Sequence, residues 1–308
     1  MATRITTSMV QRNVLADLNL ISGKLTKSQM KAASNREITR PSDDPFNASR
    51  AMALRHNVNA TKQYQRNVED AIGWQDATEQ ALDRITESVR DARDLLIQAG
   101  SDSTDQTSRE SIAVELEQLI ESIKQNASTT YRGSYLFSGG ETGLRPYQPG
   151  ADDAYYGDQG GVDPSVPGIV REIGPGVTMT INTVGSEMLG GGQAAGDDKL
   201  LDVLRDAVSH LRTNDGASLR GTDLTRLDTN LDNLLEVRAA NGARTNRLEA
   251  AMTRLDEVEE STVKQLSNVE DADIAETLIE LNSQTAAYQA ALRAGASIVQ
   301  SSLMDFLR

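Results

Sequence analysis

With 308 residues the chain is long enough for two or three domains, and its 38 % hydrophobic and 4 % aromatic content suits long helices that bury narrow stripes better than one compact globule. A net charge of −14 argues against nucleic acid as the main partner. The absence of cysteine excludes disulfides and thiolate chemistry, and no apolar run approaches membrane-spanning length. The charge is uneven. Residues 1–60 hold nine Lys or Arg against four Asp or Glu, and residues 255–280 hold nine acids against Lys264 alone. Two solvated faces of chance sign would give this, and so would a basic N-terminal helix lying beside an acidic C-terminal one. The opening stretch MATRITTSMVQRNV has no apolar signal-peptide core. Taken alone this reads as cytoplasmic, and it leaves open export by a route that reads no such signal.

Residues 3 to about 38 read as one helix. Val14, Leu18, Ile21 and Leu25 follow a four-three-four step, continued by Ser28 and Ala32, which is a coiled-coil seam. The remainder is polar, so this helix is weakly amphipathic and is expected to order on assembly rather than alone. Pro41 and Pro45 then stop any helix and fix a turn. Ser42, Asp43 or Asp44 can cap the next helix, whose first turn begins at Pro45. Two adjacent acids beside a proline are far more often a turn and cap than a metal site.

A long helix is expected from Phe46 to about Gly100, its apolar stripe shifting through Met52, Val58, Ile72, Ala81, Ile85, Val89, Leu95 and Leu96. Trp74 fits a core anchor better than a stacking platform. A polar loop and a helix to about Thr130, carrying Ile112, Leu116, Leu119 and Ile123, complete an antiparallel hairpin. Residues 131–147 read as a short strand and turn. Two strands flank Gly174-Pro-Gly176 within a small β segment, 148–190, and this turn lacks the ending of a phosphate loop. Gly190 to Gly196 reads as a flexible linker.

Helices resume over Asp197 to about Arg212 and from about Leu219 to Asn268, the latter interrupted in its stripe between Asn241 and Leu248. A polar break at 267–273 precedes the terminal helix. There Leu278, Leu281, Thr285, Tyr288, Leu292, Gly295 and Val299 repeat in steps of three and four. The register then slips by one, to Leu303, Phe306 and Leu307. An apolar ending of this kind needs another helix to cover it.

Candidate chemistry is sparse. His56 and His210 lie far apart in sequence without ligand-spaced partners. Ser28-Gln-Met-Lys31 and Ser261-Thr-Val-Lys264 match a Ser-x-x-Lys spacing, but the Ser-Asp-Asn and Lys-Thr-Gly tripeptides that accompany it in penicillin-binding enzymes do not occur. The expectation is no enzyme, no cofactor and no metal.

Three stretches carry a family resemblance. The C-terminal run Ala294 to Arg308 resembles the end of bacterial flagellin-type proteins. Pro41-Ser-Asp-Asp-Pro45 resembles the hook-associated branch of that family, as does Tyr135-Leu-Phe-Ser-Gly139 followed by Pro146-Tyr147. Filament flagellin is the alternative, and a soluble helical adaptor is a third reading.

The resemblance implies a mainly α, flagellin-like fold with a small β insert. It has long antiparallel helices, and its N- and C-terminal helices pair as a coiled coil. The expected domains are 1–42 with 268–308, 43–145 with 191–267, and 146–190. It implies a structural, extracellular role at the flagellar hook–filament junction, as a homo-oligomeric ring between hook-associated protein 1 and flagellin. Export would use the flagellar type III system with an export chaperone and without a cleaved signal peptide. Neither a membrane nor a nucleic acid is an implied partner.

Overall fold

The computed structural model describes residues 7–101, 104–160, 166–192 and 195–306. It is mainly helical. In chain order come α1 (Thr7–Ser34), α2 (Pro45–Ala99), α3 (Gln106–Ala127), β1 (Thr130–Tyr131), β2 (Ser134–Tyr135), β3 (Val170–Gly174) and β4 (Val177–Thr180). Then follow α4 (Gly185–Leu189), α5 (Leu200–Thr213), α6 (Gly216–Ser218), a π-helical turn (Leu219–Asp223), α7 (Leu224–Glu270) and α8 (Ile274–Phe306).

The chain divides into two compact units, 1–60 with 258–308 and 61–257. The sequence reading places three domains with boundaries at 42, 145, 190 and 267. The segment 146–190 does not separate, because Tyr147, Ile173, Met179 and Ile181 are buried in the same core as the helices of 61–257. α2 and α7 each contribute residues to both units.

In the unit 61–257, α2 and α7 run antiparallel, joined by Arg93 to Asp228 (2.6 Å), Arg238 to Glu79 (2.6 Å) and Gln65 to Asp256 (2.9 Å). α3 and α5 pack beside each other, also antiparallel, with Gln106 at the start of α3 donating to the Arg212 carbonyl at the end of α5 (3.1 Å) and Arg205, nearer the start of α5, lying 3.8 Å from Glu121 further along α3. The buried face of α2 is two strict columns. One is Val68, Gln75, Leu82, Val89 and Leu96, and the other is Ala71, Thr78, Ile85, Ala92 and Ala99. Their three-four alternation is a heptad pattern. A search for large apolar residues alone sees a shifting stripe, because three of the five residues in one column are alanine and each column holds a polar residue. Trp74 is buried and meets Tyr131 edge-on, with ring centroids 6.1 Å apart.

The β segments are two antiparallel hairpins, β1 with β2 and β3 with β4. Arg132 and Gly133 both have positive φ, 50° and 85°, as a two-residue type I′ turn requires. The expected flexible linker is held in place at its start, Gly190 and Gly191. The Tyr147 hydroxyl donates to the Gly190 carbonyl (2.7 Å), and Gly191 N–H donates to Asp197 Oδ2 (2.7 Å). At Gly190 (φ +84°) a Cβ would collide with Lys199 and Asp197, so glycine serves close approach here as much as freedom.

Lys124 is fully buried, yet its ammonium is well satisfied. It donates to the Gly150 carbonyl (2.6 Å), the Asp152 carbonyl (2.9 Å) and Asp153 Oδ1 (2.8 Å), and so ties the loop after Tyr147 to α3. Arg205 from α5 reaches the other Asp153 oxygen at 2.6 Å. Burial alone would raise the Asp153 pKa, but the hydrogen bonds from Arg205 and Lys124 outweigh it and hold the carboxyl below its usual range. A depressed folded pKa contributes stability above the unfolded value and loses it as pH falls through the folded one. Unfolding of 61–257, followed by circular dichroism in urea, should therefore weaken below about pH 4. Asp153→Asn should be less stable at pH 7 and should flatten that acid limb.

Candidate functional site

The turn between α1 and α2 is built from its acids. Asp44 caps α2, its Oδ1 accepting the Asn47 N–H at 3.1 Å with Pro45 in the first helical position. That bond, with the Asn47 side-chain amide, lowers the Asp44 pKa. Asp43 is held by Lys27 (3.2 Å), Thr39 Oγ1 (3.1 Å) and Arg40 N–H (3.1 Å), and Lys27 is the largest cause of its lowered pKa. Pro41 is exposed at the start of the turn.

α1 packs along α8. On α1 the inner stripe is Val14, Leu18, Ile21, Leu25, Ser28 and Ala32, all partly or fully buried. On α8 the covered residues are Thr277, Leu281, Gln284, Thr285, Tyr288, Ala291 and Gly295. The pair approaches closely at its far end, where a Cβ on Gly295 would sit 3.2 Å from Val14 and 3.6 Å from Leu18.

Leu281, Thr285, Tyr288 and Gly295 thus belong to the covered face, whereas Leu278 and Leu292 stand 49 % and 45 % exposed. The reason is the period. The face turned to α1 steps through 277, 281, 284, 288, 291 and 295, so its alternate members are the small or polar Thr277, Gln284 and Ala291. A search for large side chains chooses their neighbours 278, 285 and 292. Val299, Leu303, Phe306 and Leu307 lie outside the residues whose side chains are described.

The end of α1 is joined to the α7–α8 break by backbone as well as side chains. Glu37 N–H donates to the Glu270 carbonyl (2.8 Å), and Ala272 N–H donates to the Asn35 carbonyl (3.2 Å). The buried Glu270 carboxylate accepts from Arg36 Nε (2.5 Å) and from Arg55 in a two-point fork with one arm at 2.9 Å. Sequence reasoning missed this clamp, and the only available signal was the polar break itself. The uneven charge is used here in part, since Arg36 and Arg55 meet an acid of the 255–280 stretch. Lys27 and Lys31 instead pair with Asp43 and Glu37 of the N-terminal segment.

The remaining candidates are placed apart. His56 is exposed on α2. His210 Nδ1 lies 2.6 Å from the buried Asp223. Ser28 is buried in the α1–α8 face, and Lys264 pairs with Glu260 at 2.6 Å. Among the described residues no group of three ligating side chains could hold a metal ion, and no helix is long and apolar enough to cross a membrane.

The sequence model for the bacterial flagellin N-terminal helical region matches residues 5–142, and that for the C-terminal helical region matches 224–307. The flagellar hook-associated protein 3 of Salmonella typhimurium is 25 % identical over 317 residues, covering 99 % of this chain and all of that one. The chain belongs to the flagellin-like hook-associated protein 3 family. Solved structures share the fold. A flagellar hook-associated protein of Vibrio parahaemolyticus superposes with a TM-score of 0.66 at 22 % identity, over 74 % of this chain and 100 % of that one. The flagellar junction protein of Legionella pneumophila does so at 0.56 and 16 %, over 72 % and 99 %.

In this hook-associated protein 3 relative the unit 1–60 with 258–308 holds most of the large apolar side chains left exposed among the described residues. Eleven of the eighteen large apolar side chains exposed among the described residues fall in 1–60 and 258–308, including Leu15, Leu20, Leu278, Ile279 and Leu292. Gly295→Leu should push α1 from α8, an overpacking cost of about 1–3 kcal/mol. Limited proteolysis should then trim both ends faster than in the parent protein. Glu270→Ala should loosen the same joint by about 1–3 kcal/mol, its arginine partners being solvent-accessible, read by hydrogen exchange of the Glu37 and Ala272 amides.

Proposed function

We propose that this chain is a structural subunit of the bacterial flagellum, set at the junction between hook and filament and adapting one to the other. The single observation that carries this beyond family membership is the exposed apolar surface on the terminal unit. Such surface on a paired-helix element marks an interaction site. Leu278 and Leu292 lie off the face turned to α1, so an α8 already paired within its own chain still offers a stripe to other helices.

In this reading many copies pack their terminal pairs side by side into a ring. One side of the ring meets hook-associated protein 1 and the other meets flagellin. The chain reaches that place through the flagellar type III export route, helped by an export chaperone, and acts outside the cell without catalysing a reaction. A weakly amphipathic α1 and the absence of cysteine support transit as an unfolded chain. The Pro41-Ser-Asp-Asp-Pro45 turn and the Tyr135-Leu-Phe-Ser-Gly139 run, which resemble the hook-associated branch, support the junction over the filament.

Leu278→Asp and Leu292→Asp test the reading. Both residues are half-exposed in the single chain, so each substitution should leave the unfolding free energy of the isolated protein within about 0.5 kcal/mol. Each should nevertheless abolish incorporation, giving cells with hooks, no filaments and flagellin shed into the medium. Normal filament attachment in both variants would reject the proposal. Long filaments formed by the purified protein alone would point to a filament subunit instead.

A further inference from the structure

The seam between α2 and α7 carries one polar layer. On α7 the buried residues at strict seven-residue steps are Leu227, Leu234, Asn241, Leu248 and Leu255. On α2 the matching column is Val68, Gln75, Leu82, Val89 and Leu96. Each apolar column is broken once, by a buried amide, and the two breaks meet. Asn241 Nδ2 donates to the main-chain carbonyl of Gln75 at 3.2 Å and to Glu79 Oε2 at 3.4 Å.

The layer contributes little by its own hydrogen bonds. Gln75 Nε2 and Oε1 and Asn241 Oδ1 are buried without a partner, an arrangement that apolar residues of similar size would improve on. We infer that the Gln75–Asn241 layer sets the register in which α2 and α7 pair, at the expense of stability. The reason lies in the sequence repeat. In the observed register Leu82 falls level with Leu234, Val68 with Leu248, and Val89 with Leu227. Sliding α7 by seven residues, about 10 Å of helix, again sets apolar against apolar where neither Gln75 nor Asn241 falls: Val68 at Leu255, Val89 at Leu234 and Leu96 at Leu227 in one direction, and Leu82 at Leu227 in the other. Within the two columns, only the places of Gln75 and Asn241 tell the registers apart. A slide in either direction sets Asn241 against Leu82 or Val68, and Gln75 against Leu248 or Leu234. A lone polar core position fixing helix register is a known use of such residues. Arg238, one turn from Asn241, reinforces it by reaching Glu79 at 2.6 Å and Asp83 at 2.9 Å. The inference is independent of the flagellar reading.

The absence of cysteine makes the test direct. In the full chain, unfolded and refolded in urea, Q65C/D256C reports the observed register, because those side chains are hydrogen-bonded at 2.9 Å. Q65C/E249C and R93C/L235C report slides of seven residues in the two directions. With R238Q alone, which keeps the layer, only the first pair should crosslink. With Q75L/N241L/R238Q the chain should melt at a higher temperature than R238Q, and at least one slipped pair should crosslink as well. The inference is overturned if that triple variant crosslinks only at Q65C/D256C, if R238Q slips as much as the triple variant, or if the triple variant fails to fold.

Discussion

Everything in the terminal unit depends on closing the chain on itself where Asn35 to Glu37 meets Glu270 to Ala272. Two backbone hydrogen bonds and the Glu270 carboxylate with its two arginines make that closure. α1 is too polar to be stable as an isolated helix, so its persistence depends on α8, more than two hundred residues away in sequence. Loop-closure entropy rises only slowly with length, about 0.6 kcal/mol per doubling, so the separation itself is no barrier. The limiting quantity is the apolar area the two helices share, and that area is small. The covered face includes Ser28, Thr277, Gln284 and Gly295, residues that permit close approach without burying much hydrocarbon.

The unit 61–257 is organised on the opposite balance. Its helices bury leucine, isoleucine, valine and alanine in columns broken by single polar residues, and β4 and the segments beside the hairpins add Phe137, Tyr147, Met179 and Ile181 to the same core. Such a core supports a cooperative fold by itself. The two units thus differ in what completes them. One is saturated internally, while the other retains half-exposed leucines and isoleucines on both of its long terminal helices.

The long helices, their order and the β3–β4 hairpin were legible in the sequence, because heptad spacing, the proline pair and the Gly174-Pro-Gly176 turn are local signals, while the β1–β2 hairpin read only as a strand and a turn. The acidic turn was legible for the same reason, since Asp44 caps the helix that begins one residue later. Three features were not fully so. The face of α8 turned to α1 was legible at Leu281, Thr285, Tyr288 and Gly295 but displaced by one position at Leu278 and Leu292, because the members beside them, Thr277 and Ala291, are small or polar. The glycine run 190–196 read as a tether, though Tyr147 and Asp197 hold its described part in place, and neither contact is local to the run. Glu270 was not singled out, because a buried acid is recognisable only once Arg36 and Arg55 are brought to it by the fold.

α8 therefore presents two overlapping stripes offset by one residue. One, 277, 281, 284, 288, 291 and 295, is narrow and faces α1. The other runs through Ile274, Leu278 and Leu292 and stays uncovered. A helix with one partner needs only the first. A helix with a wide apolar face needs more than one neighbour, and the second stripe is richer in large side chains than the first. The stronger hydrophobic driving force on α8 thus points away from its partner within the chain. Pairing of the ends arranges this surface, and packing against other helices is the step that buries it.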